Sequence, residues 1–484
     1  SGGGGGIPPV KVRENQMPNN KIFLRDGSRI AIIGGGPAGC FFANFALRLA
    51  RLRGISIKVT IFEGRDFTRA DHSACNMSAG VLAERIMEKL DWQGITIPQR
   101  CIQSEIRGYQ FFTQDDHMSL EHPLPGHRPR IVSVFRGGGP VHSHMKEDVS
   151  FDHFLLRLVE ERGAEVVKES VKDIVLTGHP GGSPPEADAG DGKVTLIFGK
   201  GEEQEVDLVV GAFGVNTPTA DIFAKMRFGY TPPKTLKTCI VDARLGRDFI
   251  SDHYRNNIYV FAFGTDEIEF ASLTPKGDYL TIALVGKRDI STPELRRFLT
   301  HSVVKKVLPQ GTEVLKDCCV CFPRIPVGPA HQPYWDRLVV VGDAGISRSY
   351  KNGIESAFMA SYLATNTIFE RGLSKEALKE GYYEPAIRLI ARDNFYGKFV
   401  FRVFSLVASQ RQILSERLYY AYAHREKWIA DRLNAALWNL VTGDAAYREV
   451  FLELFHPRLQ FALLPVTLEG LVRQVLGAKK RRNP

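Results

Sequence analysis

Cysteine is scarce in this chain: seven in 484 residues, an odd number. That excludes the dense disulfide framework of small secreted domains and points to a reducing compartment. The tightest group, Cys318, Cys319 and Cys321, lacks a fourth ligand at suitable spacing, so it reads as thiols in a strand and no metal is expected. No run of about 18 uncharged apolar residues occurs, so no membrane span is expected. A recognisable nucleic-acid-binding motif is also missing, and the positive charge is spread out until the last few residues, which argues against a nucleic-acid partner.

What is present is an ordinary globular composition, 44% hydrophobic and 24% charged, with a formal net charge of +9. Such an excess suits an acidic partner or an anionic membrane surface. The length allows two or three packed units. Residues 1–28 are rich in Gly, Pro and Asn and read as a loose segment. "FDHFLLRLVEER" (151–162) has helical spacing and stops at Gly163. "KDIVL" and "KVTLIFG" read as neighbouring strands, joined by a long polar loop rich in Gly and Pro. From 236 to 287 the pattern is strand-rich with no helix-length apolar repeat between, which predicts an antiparallel sheet. After about residue 375 the pattern is helical to the end.

The chemistry begins at "IAIIGGGPAG" (30–39), where Gly34, Gly36 and Gly39 have G-x-G-x-x-G spacing. The first glycine allows a tight turn, the second lets backbone approach a pyrophosphate, and the third lets the following helix pack on the strand. The start of that helix, at Pro37 and Ala38, offers free N–H groups to phosphate. "KVTIFE" then ends a second buried strand at Glu63, spaced to accept hydrogen bonds from a ribose hydroxyl. The spacing predicts a dinucleotide site, and the loop alone leaves nicotinamide and flavin both open.

A second stretch, "RLVVVGDAGISRSYKNGIESAFMASYLA" (337–364), resembles the late glycine-aspartate motif of flavin-dependent hydroxylases and geranylgeranyl reductases. The resemblance extends over about residues 29 to 370. It implies FAD as cofactor and an α/β fold: a Rossmann-type FAD-binding domain (29–220 plus 316–372), an inserted antiparallel β-sheet substrate domain (221–315) and a C-terminal helical region (373–484). By the same resemblance, Gly342 and Asp343 contact the ribityl or pyrophosphate region, and "YKNGI", with Asn352, Gly353 and Ile354, lies under the isoalloxazine. "CNMSAGVL" (75–82) is similar to the stretch over the flavin, which brings in Ser78 and Ala79. "RIVSVFRGGGPV" makes Arg136 a cofactor contact. Gly64 and Arg65, beside Glu63, and Val171 complete the implied cofactor set.

Two positions depart from the pattern. Related enzymes carry an Asp in a mid-chain motif tied to FAD and NADPH phosphates; here "GAFGVNT" has Phe213. This disfavours direct NADPH binding and favours an acidic protein donor such as ferredoxin, which a basic surface suits. The reductase pattern also places a cysteine before its glycine pair, where this chain has Ser78, with Cys75 three residues earlier. No side chain stands out as the proton donor: Cys75, Tyr350 and Lys351 are candidates, and His72 lies near the motifs.

The C-terminal stretch interleaves Phe, Trp and Tyr with Lys and Arg and ends in "AKKRR". Two readings stay open: cover for the FAD domain, or peripheral contact with a bilayer from the cytoplasmic side. The expected activity is reduction of carbon–carbon double bonds in an isoprenoid or other lipid-like apolar substrate. The alternatives are a flavin monooxygenase, an electron-transfer flavoprotein passing electrons to quinone, and a flavin-binding scaffold.

Overall fold

The computed structural model describes residues 22–71, 78–113, 117–141, 143, 145, 148–176, 193–262, 267–308, 310–316, 318–409 and 427–480. Cys75 and His72 lie outside the described residues.

A six-stranded sheet forms the first layer, in the order Tyr334–Trp335, Leu338–Val340, Leu208–Gly211, Ser28–Ile33, Ile57–Phe62, Glu165–Val167. All its pairings are parallel except the Tyr334–Trp335 edge. Its strands are near-continuous apolar runs because both faces are covered. The first strand, Ser28–Ile33, sits between Leu208–Gly211 and Ile57–Phe62, so the strand order reverses there. In such sheets a ligand crevice opens beyond the strand ends at this reversal.

The glycine-loop helix, Pro37–Arg53, covers one face and packs against the helix Gly353–Arg371. Phe41 and Phe45 meet Phe358 edge-on, and the Ser361 hydroxyl donates to the Ala38 carbonyl at 2.9 Å. The two motifs, about 300 residues apart, are thereby joined in one core. The expected strands Val171–Leu176 and Val194–Phe198 pair antiparallel on the other face. The expected helix is Phe151–Glu161, with the Ser150 hydroxyl accepting from the His153 N–H.

A seven-stranded sheet forms the second unit: Cys319–Cys321, Cys239–Arg244, Tyr279–Gly286, Ile268–Lys276, Asn257–Phe261, Gly108–Phe112, His117–Leu120. Five of its six pairings are antiparallel; Asn257–Phe261 and Gly108–Phe112 run parallel. It therefore recruits strands from both sides of the 221–315 stretch. The 236–287 stretch forms the antiparallel pairing expected of it, and it also holds one short helix that the pattern did not reveal, Arg247–Tyr254. With eight residues it buries only Ile250 and Tyr254, too few to leave a readable period. After 375 the described chain is helical as expected, through Asp393–Ser409, Lys427–Thr442, Tyr447–Leu454 and Pro457–Lys480. Among the described residues no helix is long and apolar enough to cross a membrane.

Candidate flavin and substrate site

A cavity of about 360 Å³ opens at the strand-order reversal and runs onto the face of the seven-stranded sheet. One end is built from the two motifs. Gly36, Pro37 and Ala38 line it, facing Asp343, Gly353 and Ile354, with Ser78 and Ala79 alongside.

The glycines hold the geometry the motif demands. Gly34 has φ +111°, and a side-chain carbon there would lie 2.5 Å from the Ala212 carbonyl oxygen. Gly36 has open space at the same position, which leaves room for a group to approach its backbone. It also starts the helix without a side-chain cap, so the first N–H groups remain available to an anion. Gly342 has φ +69°, and a side-chain carbon there would meet the Ala38 Cβ at 2.7 Å.

Glu63 holds the loop. One carboxylate oxygen accepts from the Gly35 N–H at 2.9 Å; Arg65 gives its backbone N–H and its Nε to the other, at 2.9 and 3.0 Å. Burial works to raise the Glu63 pKa, but the Arg65 hydrogen bonds and charge outweigh it and hold the carboxyl below its usual range. Arg65 lines the cavity, whereas Glu63 lies behind it. Arg136 also lines the cavity, with its Nε 2.5 Å from Asp152 at the start of Phe151–Glu161. Replacing Arg136 by Gln leaves a fully buried carboxylate without that cation. The expected loss is about 2 kcal/mol in denaturant midpoint analysis, together with weaker flavin retention on dialysis. Val171 lies outside the cavity, buried with Phe62 and Phe198. Gly64 packs beside Ser170 rather than in the lining.

The late loop is tied to the C-terminal helices. Tyr350 and Asn352 have φ of +72° and +57°. Arg348 donates to the Gly443 and Ala445 carbonyls, Asn352 to Gly443, and Lys351 Nζ to Leu440 and Val441 at 2.9 and 2.8 Å. The Tyr447 hydroxyl donates to the Ser349 carbonyl, and the Tyr447 ring lies under the Arg348 guanidinium. Burial, aided by the Arg348 charge, lowers the Lys351 pKa to about 7. Burial pushes Asp343 above its usual range, with Arg136 opposing. Asp343 is the one carboxylate among the described lining residues, against Arg65, Arg136, Arg324, Arg348 and Lys351. Each of these arginines pairs with a carboxylate set behind the lining: Arg65 with Glu63, Arg136 with Asp152, Arg324 with Asp289 and Arg348 with Asp393.

The other end is apolar: Ile240, Ile258, Val260, Phe270, Ala283 and Val285 project from the sheet, and Phe213 closes one side. The Phe213 ring lies tilted against Phe223, with centroids 4.8 Å apart. The Thr274 hydroxyl, buried in this wall, has no hydrogen-bond partner among the described residues. Sequence reasoning passed over Arg348, Thr274 and Tyr447. Arg348 was within reach, as a cation next to "YKNGI"; Thr274 carries no signal beyond strand alternation.

Among the described residues, Glu84, His122 and His127 gather closely enough to hold an ion. His122 Nδ1 accepts the Leu124 N–H, which leaves its proton on Nε2, the atom facing Glu84. His127 Nε2 lies 2.8 Å from Glu84, in hydrogen-bond range, whereas His122 Nε2 stands 3.7 Å from it.

No family model matches this sequence, and no curated protein matches it either. Solved structures do. A geranylgeranyl bacteriochlorophyll reductase-like protein from Thermoplasma acidophilum is similar over 91% of this chain and 100% of its own, with TM-score 0.57 at 14% identity. A flavoprotein/dehydrogenase from Cytophaga hutchinsonii is similar over 92% of this chain and 100% of its own, with TM-score 0.58 at 15% identity. A 2-methyl-3-hydroxypyridine-5-carboxylic acid oxygenase is similar over 79% of this chain and 93% of its own, with TM-score 0.53 at 15% identity. The fold is thus the one these flavoprotein oxidoreductases share, as the two glycine motifs led us to expect.

Proposed function

We propose that this chain is an FAD-dependent reductase of carbon–carbon double bonds in an isoprenoid or similar lipid-like substrate. The residues fit FAD: an uncapped helix start at Gly36, open space at its Cα, and Arg65 and Arg136 in the lining for the diphosphate. When bound there, FAD supplies hydride chemistry. The observation carrying the substrate class is the cavity itself, lined by polar and arginine side chains at the motif end and largely apolar along the sheet. Ile240, Ile258, Val260 and Phe270 would hold a hydrocarbon chain and exclude water. The Thr274 hydroxyl would accept or donate one hydrogen bond to a polar substituent. Lys351, with its pKa near 7, would deliver the proton to the carbon that does not receive hydride. Phe213 supports an acidic protein, of the ferredoxin kind, as electron donor in preference to NADPH.

The test is anaerobic reduction of the purified flavoprotein, followed by mixing with a lipid extract of its host. Mass spectrometry is expected to find lipids that have gained two hydrogens. Reoxidation only by oxygen, with a product gaining one oxygen, would move the assignment to a monooxygenase, a chemistry carried by one of the similar folds. Reoxidation only by quinone would make it an electron-transfer flavoprotein.

A further inference from the structure

The terminal helix Pro457–Lys480 is apolar on two opposite faces. Each residue turns the helix by about 100°. Leu459, Leu463, Val466 and Gly470 share one face and are buried. That face packs on Ile429, Leu433 and Trp428 of the helix Lys427–Thr442. Phe461, Leu464, Leu468, Leu471, Val472 and Val475 fall on the other side, within about 70° of the diametrically opposite direction. All six are exposed, from 43% for Leu471 to 75% for Phe461. Gln460 and Thr467 on one flank, and Arg458 and Glu469 on the other, separate the two faces. A helix that only covers the core keeps a polar outer face. This outer stripe extends about 20 Å, at 1.5 Å per residue, and the protein leaves it open to solvent.

We infer that this stripe is a docking face for an anionic lipid bilayer, with the helix lying in the interface and its outer residues in the acyl boundary. Charge selects the occupant. Of the seven charged residues from Pro457 to the last residue, six are Lys or Arg, and the sequence after the stripe reads "AKKRRNP". Anionic headgroups complement that set. A second copy of this chain would bring like charges together along the same stripe. The aromatic stretch from 394 to 441 is less free for a bilayer, since its described apolar residues are largely spent on packing: Val400, Phe401, Leu437, Trp438 and Leu440 are buried. The helix beneath the stripe, Lys427–Thr442, also reaches the cavity, which its Val441 and Thr442 line. The inference stands apart from the double-bond reading and survives its failure.

The experiment is sedimentation of the full flavin-loaded chain with vesicles of phosphatidylcholine alone, or with a quarter of the lipid replaced by phosphatidylglycerol. Anionic vesicles are expected to bind about tenfold more protein or better at low salt, with the difference shrinking as salt is raised. The double variant Leu464→Glu/Leu468→Glu is expected to lose that binding by about tenfold or more while keeping wild-type circular dichroism and flavin absorbance. Lys479→Glu/Lys480→Glu, which leaves the stripe intact, is expected to lose the preference for anionic lipid. Equal sedimentation of wild type and the stripe variant would overturn the inference. So would a dimer that the stripe variant dissolves, with no vesicle binding by wild type, for the stripe would then be an interface between copies.

Discussion

Gly342→Val is expected to cost about 4 kcal/mol of stability and to abolish flavin retention, combining left-handed backbone strain with overpacking. Gly342 has φ +69°, which a β-branched residue adopts only under strain, and its missing side chain is replaced in space by the Ala38 Cβ, 2.7 Å away. Ala38 lies in the first turn of the glycine-loop helix, whose N–H groups face the cavity. Any outward shift at Gly342 therefore moves the phosphate-binding turn as well as the neighbouring Asp343. A control separates the two causes. Gly126 has a similar φ of +77°, but nothing stands within 4 Å of the carbon that Ala would add. Gly126→Ala should cost only about 1 kcal/mol, the strain alone. Urea unfolding followed by fluorescence, with flavin absorbance after gel filtration, measures both effects. A Gly342→Val protein that retains its yellow colour and its midpoint would mean that the two motifs do not depend on this contact.

The contact also marks where the sequence was legible. The spacing of Gly34, Gly36 and Gly39 and the Gly342–Asp343 pair each predicts a turn at a strand end, and together they predict a shared chamber. Local rules suffice for this, because each glycine answers a steric demand set by its own neighbours. The strands and late helices were readable for the same reason, since apolar periodicity is local. Three things were not. Helix Arg247–Tyr254 is too short to show a period. The entry of Gly108–Phe112 and His117–Leu120 into the second sheet is a pairing across more than 130 residues, which no local pattern encodes. Glu63 is spaced as a ribose acceptor, but its spacing did not reveal that its oxygens also accept from Gly35 and Arg65, a bonding choice made by the Arg65 side chain folding back. The grip of the C-terminal helices on the late loop belongs with these. Arg348, Lys351 and Asn352 all donate to carbonyls between Leu440 and Ala445, about 90 residues further along the chain. That grip couples the flavin loop to the helix on which the terminal helix rests.

Lys351→Met is expected to separate the proton-donor role from the capping role through pH. In the folded chain Lys351 titrates at about 7, against an ordinary 10.5 in the unfolded chain, because burial and the nearby Arg348 disfavour its charged form. Between those two values the unfolded chain binds the extra proton. Stability from this site therefore rises with pH from about 7 to about 10, and the burial penalty is complete below 7. Wild type should show that rise and Lys351→Met should not. The variant also leaves the Leu440 and Val441 carbonyls without the Nζ donor, a cost of about 1–3 kcal/mol that offsets part of the relief at low pH. The catalytic readout is sharper. If Nζ supplies the proton in double-bond reduction, turnover should fall as pH rises through about 7, when the donor empties. Lys351→Met should be slower by about a hundredfold and should lack that limb of the profile. Lys351→Arg can still reach backbone carbonyls but does not titrate in this range, so it should keep the loop in place without restoring the limb. A Met variant that is slow yet keeps the wild-type pH profile would assign Lys351 to holding the loop against Leu440 and Val441, and would leave Tyr350, also in the lining, as the described candidate for the proton.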